Sequence, residues 1–457
     1  MMYASTGGTA GTGNAPGRGQ WSSGLGFILA AAGSAVGLGN IWRFPYSTGE
    51  NGGGAFILVY LVAVAAIGLP VMLLEISLGR ATQKNPVGAI AAIRAKGPWK
   101  LIGYLAILTG LGILSFYCVI AGEVLAWFAD YGQRTVTGTS MLHGFGAGPS
   151  IVSFVLFVGL TVLVVAGGVQ RGIERWAKIL MPLLLVMMIA VTVRGLLLPG
   201  AMEGVRWLLM PDFSKIGWKV VLEAMSQAFF SLSLGMGAML TYGSYLSKHQ
   251  NIVACGTWVV AFDTLIAVLA GFMIFPAVFA LGQEPGAGPT LIFEVLPKVF
   301  AAMPGGAFMG MAFFFLLGVA ALTSTVSLLE VVTAYFVDEL HWSRRKSVVA
   351  MGAATVVLGI PSALAWAGVD PLATVRILGQ DGLFSLMDFL WVNISLPLGG
   401  LLLCVFASLV WGLDAATREI VSSAPRFAAF AGIWRFFIRY VCPVFIAIIL
   451  LTRLVPV

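Results

Sequence analysis

From residue 22 onward the chain is a succession of long apolar runs, parted by short polar segments and by glycine- or proline-bearing joints. The apolar positions are continuous rather than alternating, which points to helices rather than strands. Each run is about 20 residues or more, the length a helix needs to cross about 30 Å of hydrocarbon. Lipid offers backbone groups no hydrogen-bond partner, so spanning segments must be helices or closed barrels. The pattern predicts eleven spans, at approximately 22–47, 53–80, 99–130, 150–169, 173–198, 219–247, 252–281, 303–338, 345–366, 384–411 and 434–455. Residues 1–17 are rich in Gly, Thr and Ala and lack an apolar core, so they read as a disordered tail and not a signal peptide. The fold expected is therefore all-α, a polytopic membrane protein with one transmembrane domain over residues 18–457.

Two spans depart from the pattern. The first holds Gly33-Ser34-Ala35-Val36-Gly37-Leu38-Gly39-Asn40, and the sixth holds Ser231-Leu232-Ser233-Leu234-Gly235-Met236-Gly237. Glycine costs about 1 kcal/mol relative to alanine inside a helix. Clustered glycines can also serve close helix packing, but here small polar residues accompany them at mid-span, and both helices are expected to break near the bilayer midplane. The breaks lie five spans apart. A five-helix repeat is odd, so its second copy must insert upside down. This gives repeat one at about 18–200, repeat two at about 215–412, and an extra helix at 434–455. Paired broken helices in an inverted repeat mark the central site of a transporter of small solutes.

Composition and charge narrow the class. Of 457 residues 59% are hydrophobic and 10% charged, against about 25% charged in a soluble domain; a soluble fold could not cover itself. The net charge of +7 does not form a nucleic-acid footprint, because Lys and Arg sit in short loops. With the N-terminus inside, 17 of the 26 Lys and Arg fall on the cytoplasmic side, as the positive-inside rule favours. An odd helix count then puts the C-terminus outside, in a cell inner (plasma) membrane. The four cysteines include no CxxC, and the three histidines are scattered without metal-ligand spacing. Gly37-Leu38-Gly39 is an incomplete nucleotide loop without a βαβ context. No Ser/His/Asp set, HExxH or paired Asp dyad is evident, so the chain does not read as an enzyme.

The run Ser34-Ala-Val-Gly-Leu-Gly-Asn-Ile-Trp-Arg-Phe-Pro45, followed by Glu50-Asn-Gly-Gly-Gly-Ala-Phe56, resembles the first-helix signature of the neurotransmitter:sodium symporter family. The resemblance continues through Gly68-Leu-Pro70, Glu75 with Gly79-Arg80, Ser231 to Tyr245 and Leu322-Thr323-Ser324, and spans about residues 18–455. The eleven-span length and several pocket positions are most similar to a bacterial, multi-hydrophobic amino-acid branch. Many members have a twelfth helix, which this chain lacks. The resemblance implies a sodium-coupled symporter of hydrophobic L-amino acids, working by alternating access with two Na+ ions and no chloride.

By that similarity, one sodium site would use the Ala35 carbonyl with Asn40, Ser231 and Asp263, completed by the substrate carboxylate. A second would use the carbonyls of Gly33, Val36 and Ala320 with the hydroxyls of Thr323 and Ser324, although such hydroxyls also bond back to their own helix. Asp263 is the most informative residue. A charge at mid-membrane costs about 2.5–3.5 kcal/mol, so it should have a cationic partner or a proton. The family position resembles an asparagine. Chloride-dependent members bind chloride nearby, and some chloride-independent ones carry a carboxylate one turn later, at the position of Ala267 here. Asp263 is expected to supply on the first sodium the negative charge that chloride would bring. Tyr60 and Gln227 match its polar neighbours.

Gly37 stands where amine-carrying relatives resemble an aspartate, which leaves room for a substrate carboxylate. Backbone N–H groups around Leu38 and Gly39, at the positive end of a half-helix, would bind that carboxylate, with Tyr117 touching it. Ile113, Phe230, Ser233, Met236, Ser324 and Leu328, together with Ala35 and Ser231, match positions lining the pocket. None of the side-chain pocket positions is charged, so Asp, Glu, Lys and Arg are expected to be poor substrates. Met236 is adaptable, and specificity should be broad and hydrophobic, extending to tryptophan. Arg43 and Asp388 resemble an outer gate, bridged by water, with Phe230 as lid. Arg18 and Asp338 resemble an inner latch, with Trp21, Ser244 and Tyr245 nearby. Gly172 and Pro182 resemble a Gly-x9-Pro motif at which the fifth helix unwinds to hydrate the second sodium site. A proton-coupled carrier on the same scaffold, with Asp263 as proton carrier, is the alternative; no lysine lies in spans 1, 6 or 8 away from their ends to replace an ion.

Overall fold

The computed structural model describes residues 19–140, 146–286 and 291–454. Among them nine helices are long and apolar enough to cross a membrane: Gly54–Thr82, Lys100–Thr137, Ala147–Ala166, Val169–Leu196, Ile252–Ala280, Gly306–Asp338, Arg344–Trp366, Leu383–Trp411 and Ala431–Leu454. They correspond to spans 2 to 5 and 7 to 11. The first span is a bent pair, Gly24–Ala35 and Gly39–Glu50, with 51° between its halves. The sixth is likewise two helices, Trp218–Ser231 and Ala238–Ser244, parted by residues 232–237. The expected tail at 1–17 and Arg18 lie outside the described residues.

Local chemistry explains the ends. Ser23, Asn251 and Ser343 are N-caps whose side chains accept from backbone N–H groups at Gly26, Ala254 and Lys346, satisfying donors that a helix start leaves open. The third span runs on to Thr137, well past the expected residue 130, and stops at left-handed Gly138. The fifth begins at Val169 rather than 173, because residues 169–174 form a wide π-turn continuous with the helix. Short helices unforeseen in the sequence lie between spans, among them Pro86–Ile93, Ala201–Leu209 and Leu413–Ser423. The two-residue strands at Arg376–Ile377 and Gln380–Asp381 pair antiparallel.

The broken first and sixth spans are buried by the others, and spans 3 and 8 lie against each other. Trp127 stacks on Phe314 between them, with ring centroids 5.4 Å apart. The sixth-span break is fixed by its neighbours. Gly235 has φ +82°, its N–H donates to buried Glu75 Oε1 at 2.7 Å, and a Cβ there would fall 2.2 Å from the Leu396 carbonyl oxygen of span 10. Left-handed backbone costs an L-residue about 1–2 kcal/mol, and the backbone of span 10 cannot retreat as a side-chain tip would. Gly235→Ala is therefore expected to destabilise by more than that range, read as a lowered unfolding midpoint of the purified protein; an unchanged midpoint would show that the break tolerates a side chain.

Candidate functional site

Between the two breaks lies a small cavity of about 20 Å³, room for about one water molecule. Ala35, Gly37, Gly39, Ile113, Tyr117, Phe230, Ser233, Met236, Ser324 and Leu328 line it, all residues singled out above, together with Ser34 and Ser327, which were not. Leu38 and Ser231 stand just outside its wall. The Leu38 N–H donates to the Tyr117 hydroxyl at 2.8 Å, so the break in span 1 and the tyrosine of span 3 meet at one edge. Ser34 Oγ donates to Ser327 Oγ at 2.7 Å, and Ser233 and Ser324 both donate to the Ser34 carbonyl, at 3.0 and 3.2 Å. A Cβ on Gly37 would sit 2.3 Å from Ser324 Oγ and 2.6 Å from the Tyr117 hydroxyl, so a side chain there would compete with any occupant.

Next to the cavity, Asp263 is fully buried, and its carboxylate gathers neutral donors from three spans. Asn40 Nδ2 donates to Asp263 Oδ1 at 2.7 Å, Ser231 Oγ lies 2.9 and 3.0 Å from its two oxygens, and the Tyr60 hydroxyl donates to Oδ2 at 3.2 Å. The cationic partner anticipated for Asp263 is not among these contacts. Asn40 Oδ1 accepts from the Gly37 N–H at 3.1 Å, and Gln227 Nε2 donates to the Gly39 carbonyl at 2.7 Å. Carboxylate, amide and hydroxyl oxygens thus converge at the frayed turn of span 1, the ligand chemistry a hard cation needs.

A second oxygen cluster joins the break in span 1 to span 8. Thr323 Oγ1 donates to the Ala320 carbonyl at 2.9 Å and lies 3.4 Å from the Val36 carbonyl, while Ser324 Oγ is also 3.4 Å from Val36 O. Thr323 therefore does bond back to its own helix, and that bond leaves its oxygen facing the loosened carbonyl of span 1. Gly33 packs against the Thr323 side chain.

Phe230 separates the central cavity from a larger one of about 320 Å³, lined by Trp42, Arg43, Tyr46, Trp366, Phe384, Asp388 and others. Arg43 sits over the Phe230 ring, 4.9 Å from its centroid. Arg43 and Asp388 share this vestibule, yet the ion pair Arg43 makes is with Glu223, at 3.7 Å. Asp388 accepts from Asn393 Nδ2 at 3.3 Å. Glu223 was missed although it shows the same signal as Asp263, a carboxylate in an apolar span.

At the opposite end Trp21 plugs the bundle. Its backbone N–H donates to the Tyr245 carbonyl at 3.1 Å and its indole to the Tyr242 carbonyl at 2.9 Å. Ser22 bonds Glu174 through backbone and side chain, and Lys178 pairs with Glu174 at 2.6 Å. Asp338 accepts from the backbone and side chain of Asn85, each at 3.2 Å; its expected partner Arg18 is outside the described residues. The Tyr245 hydroxyl donates to buried Glu330 at 2.7 Å, and Arg344 pairs with the same carboxylate at 2.5 Å. Gly172 lies in the wide turn, where a Cβ would meet the Val164 carbonyl oxygen at 2.2 Å, and Pro182 lies inside a continuous helix. The fifth span is wound in this structure.

A model of the Sodium:neurotransmitter symporter family matches residues 18–143 and 131–457. The uncharacterized sodium-dependent transporter YhdH of Bacillus subtilis (strain 168) is 38% identical over 440 residues, covering 94% of this chain and 97% of its own. The sodium- and chloride-dependent GABA transporter 2 of Homo sapiens is 29% identical over 391 residues, 72% of this chain and 64% of that one. Among solved structures, the crystal structure of MhsT in complex with L-phenylalanine is similar with a TM-score of 0.86 and 44% identity, over 96% of this chain and 100% of that one.

Proposed function

The chain belongs to the sodium:neurotransmitter symporter family, a family of transporters and not enzymes, and from that premise we propose that it carries hydrophobic L-amino acids, aliphatic and aromatic, by alternating access. The observation that carries this reading is the central cavity: it is walled by backbone from two helix breaks and by Ile113, Tyr117, Phe230, Met236 and Leu328, with no charged side chain in its lining. A zwitterion would place its carboxylate toward the first break and its apolar side chain among the aliphatic and aromatic groups. Gly37 leaves space where a carboxylate side chain would turn the site toward amines. The phenylalanine bound by the MhsT neighbour is a ligand of the class this cavity suits.

In this reading two sodium ions are co-substrates. The first would take Ala35 O, Asn40, Ser231 and Asp263; the second Gly33 O, Val36 O, Ala320 O, Thr323 and Ser324. Asp263 supplies a resident negative charge beside the first ion, so chloride is not required. The N-terminus faces the cytoplasm of a cell bounded by this inner membrane, residues 18–200 and 215–412 are the inverted repeats, and unwinding between Gly172 and Pro182 releases the second ion inward. One charge falling through 100 mV supplies about 2.3 kcal/mol, and a tenfold gradient about 1.4 kcal/mol. Two ions then supply about 7 kcal/mol, a ceiling of about 10⁵-fold accumulation.

Uptake of radiolabelled tryptophan, phenylalanine and leucine into proteoliposomes tests this. Uptake is expected to need external sodium, to be unchanged when gluconate replaces chloride, and to be outcompeted by hydrophobic amino acids but not by aspartate or lysine. Uptake that ignores sodium and follows a pH gradient would overturn the ion assignment and favour the proton-coupled alternative.

A further inference from the structure

Arg43 has two carboxylates at the vestibule, and the structure seats it on the one the sequence did not point to. Its side chain is 9% exposed, and its Nη2 lies 3.7 Å from Glu223 Oε1. The other oxygen of Glu223 is taken by Arg453 of the eleventh span, at 2.6 Å, and Ser47 Oγ is 3.5 Å from Oε1. A buried cation cannot be left bare without a large desolvation cost. If Arg43 moves to Asp388 when the vestibule closes, it needs an anion to leave and an anion to reach. Glu223 is that first anion. The Arg453 bond is short and charge-assisted, which is the stronger kind, and its positive charge weakens the hold of Glu223 on Arg43.

We propose that Glu223 is a positioning residue of the outer gate, holding Arg43 away from Asp388, and that Arg453 sets the strength of that hold. The eleventh span, outside the two five-helix repeats, thereby acts on the gate. The proposal rests on reading Arg43 and Asp388 as that gate.

The two side chains should act with opposite sign, which a merely structural role would not produce. All four native cysteines are buried, so Ser385→Cys, at a residue lining the vestibule, gives a reporter for a charged methanethiosulfonate reagent. The test uses purified full-length protein in detergent with sodium. In this background Glu223→Gln is expected to slow labelling about threefold, because Arg43 passes to Asp388. Arg453→Gln should speed it about threefold, magnitudes set by ion pairs of about 1 kcal/mol or less. The double variant should match Glu223→Gln alone, since Arg453 acts through Glu223, and Arg453→Lys should match the parent. Asp388→Asn should speed labelling. If Asp388→Asn moves the rate while Glu223→Gln and Arg453→Gln leave it unchanged or shift it the same way, the positioning role is wrong. If Asp388→Asn has no effect, the gate reading itself fails.

Discussion

Asp263→Asn is expected to cut sodium-driven uptake in chloride-free medium by about 100-fold, corresponding to about 3 kcal/mol, and addition of chloride is expected to restore part of it. The substitution keeps the shape of the side chain and removes its charge. Among the described residues, the donors that meet the Asp263 carboxylate are neutral, from Asn40, Ser231 and Tyr60. Its charge is therefore not cancelled by a neighbouring cation and remains to act on an ion held at the frayed turn of span 1. With asparagine, an ion entering this buried cluster would face dipoles alone, and the cost of removing it from water would not be offset. A mobile anion could then supply what the side chain no longer does, as in relatives named for chloride dependence. Uptake by the variant in gluconate and in chloride, at fixed sodium, measures both halves. Full activity in gluconate would show that Asp263 is not the charge partner of sodium. Full activity that has also lost all response to pH would point to a proton-carrying role instead.

Much of the architecture was legible because hydrocarbon imposes one requirement on every span. Each continuous helix matches an apolar run, and both breaks fall where glycines and small polar residues coincide. The helices that were missed are too short to cross a bilayer. Pro86–Ile93, started by Asn85 accepting from the N–H groups of Val87 and Gly88, is apolar but only 8 residues long, too short to read as a span. The wide turn at 169–174 has no composition signature, and it moved the start of the fifth span ahead of Gly172.

For the site, residue type was readable and partnership was not. Asp263, Glu75, Glu223 and Glu330 give the same signal, an acidic residue inside an apolar stretch, and only Asp263 was assigned a role. Their partners differ in kind. Glu75 meets a backbone N–H freed by the sixth-span break, Glu223 meets Arg453 from 230 positions away, and Glu330 meets Arg344. Nothing local to these residues distinguishes a carboxylate that holds a helix break open from one that closes an ion pair. Ser34 and Ser327 were passed over for a similar reason. Ser327 reads as an ordinary small residue in a packed helix, and Ser34 only as one of the polar residues of the span-1 break, until the fold brings both to the cavity wall.

Glu330→Gln is expected to destabilise the protein by about 3 kcal/mol, at the lower end for a broken buried pair, and to loosen the end closed by Trp21. Glu330 is fully buried on span 8. Arg344 reaches it with two nitrogens, Nη1 at 3.1 Å and Nη2 at 2.5 Å, and also donates to the Val165 carbonyl at the end of span 4. The Tyr245 hydroxyl completes the carboxylate's partners, and the Tyr245 carbonyl in turn holds the Trp21 backbone. The Glu330–Arg344 pair thus joins spans 4, 6, 8 and 9 and, through Tyr245, the start of span 1. Glutamine can accept from only one of the two guanidinium nitrogens, and the Arg344 charge loses its counter-ion where its side chain is 26% exposed, too little for water to replace it. Tyr245→Phe removes one neutral donor and leaves the ion pair, so it should cost only about 1 kcal/mol. Thermal unfolding of the two purified variants separates the contributions. Equal losses would mean that the pair adds nothing beyond the tyrosine bond. A large loss confined to Glu330→Gln, with faster modification of a cysteine placed beneath Trp21, would identify the Glu330–Arg344 pair as the charge that keeps this end shut.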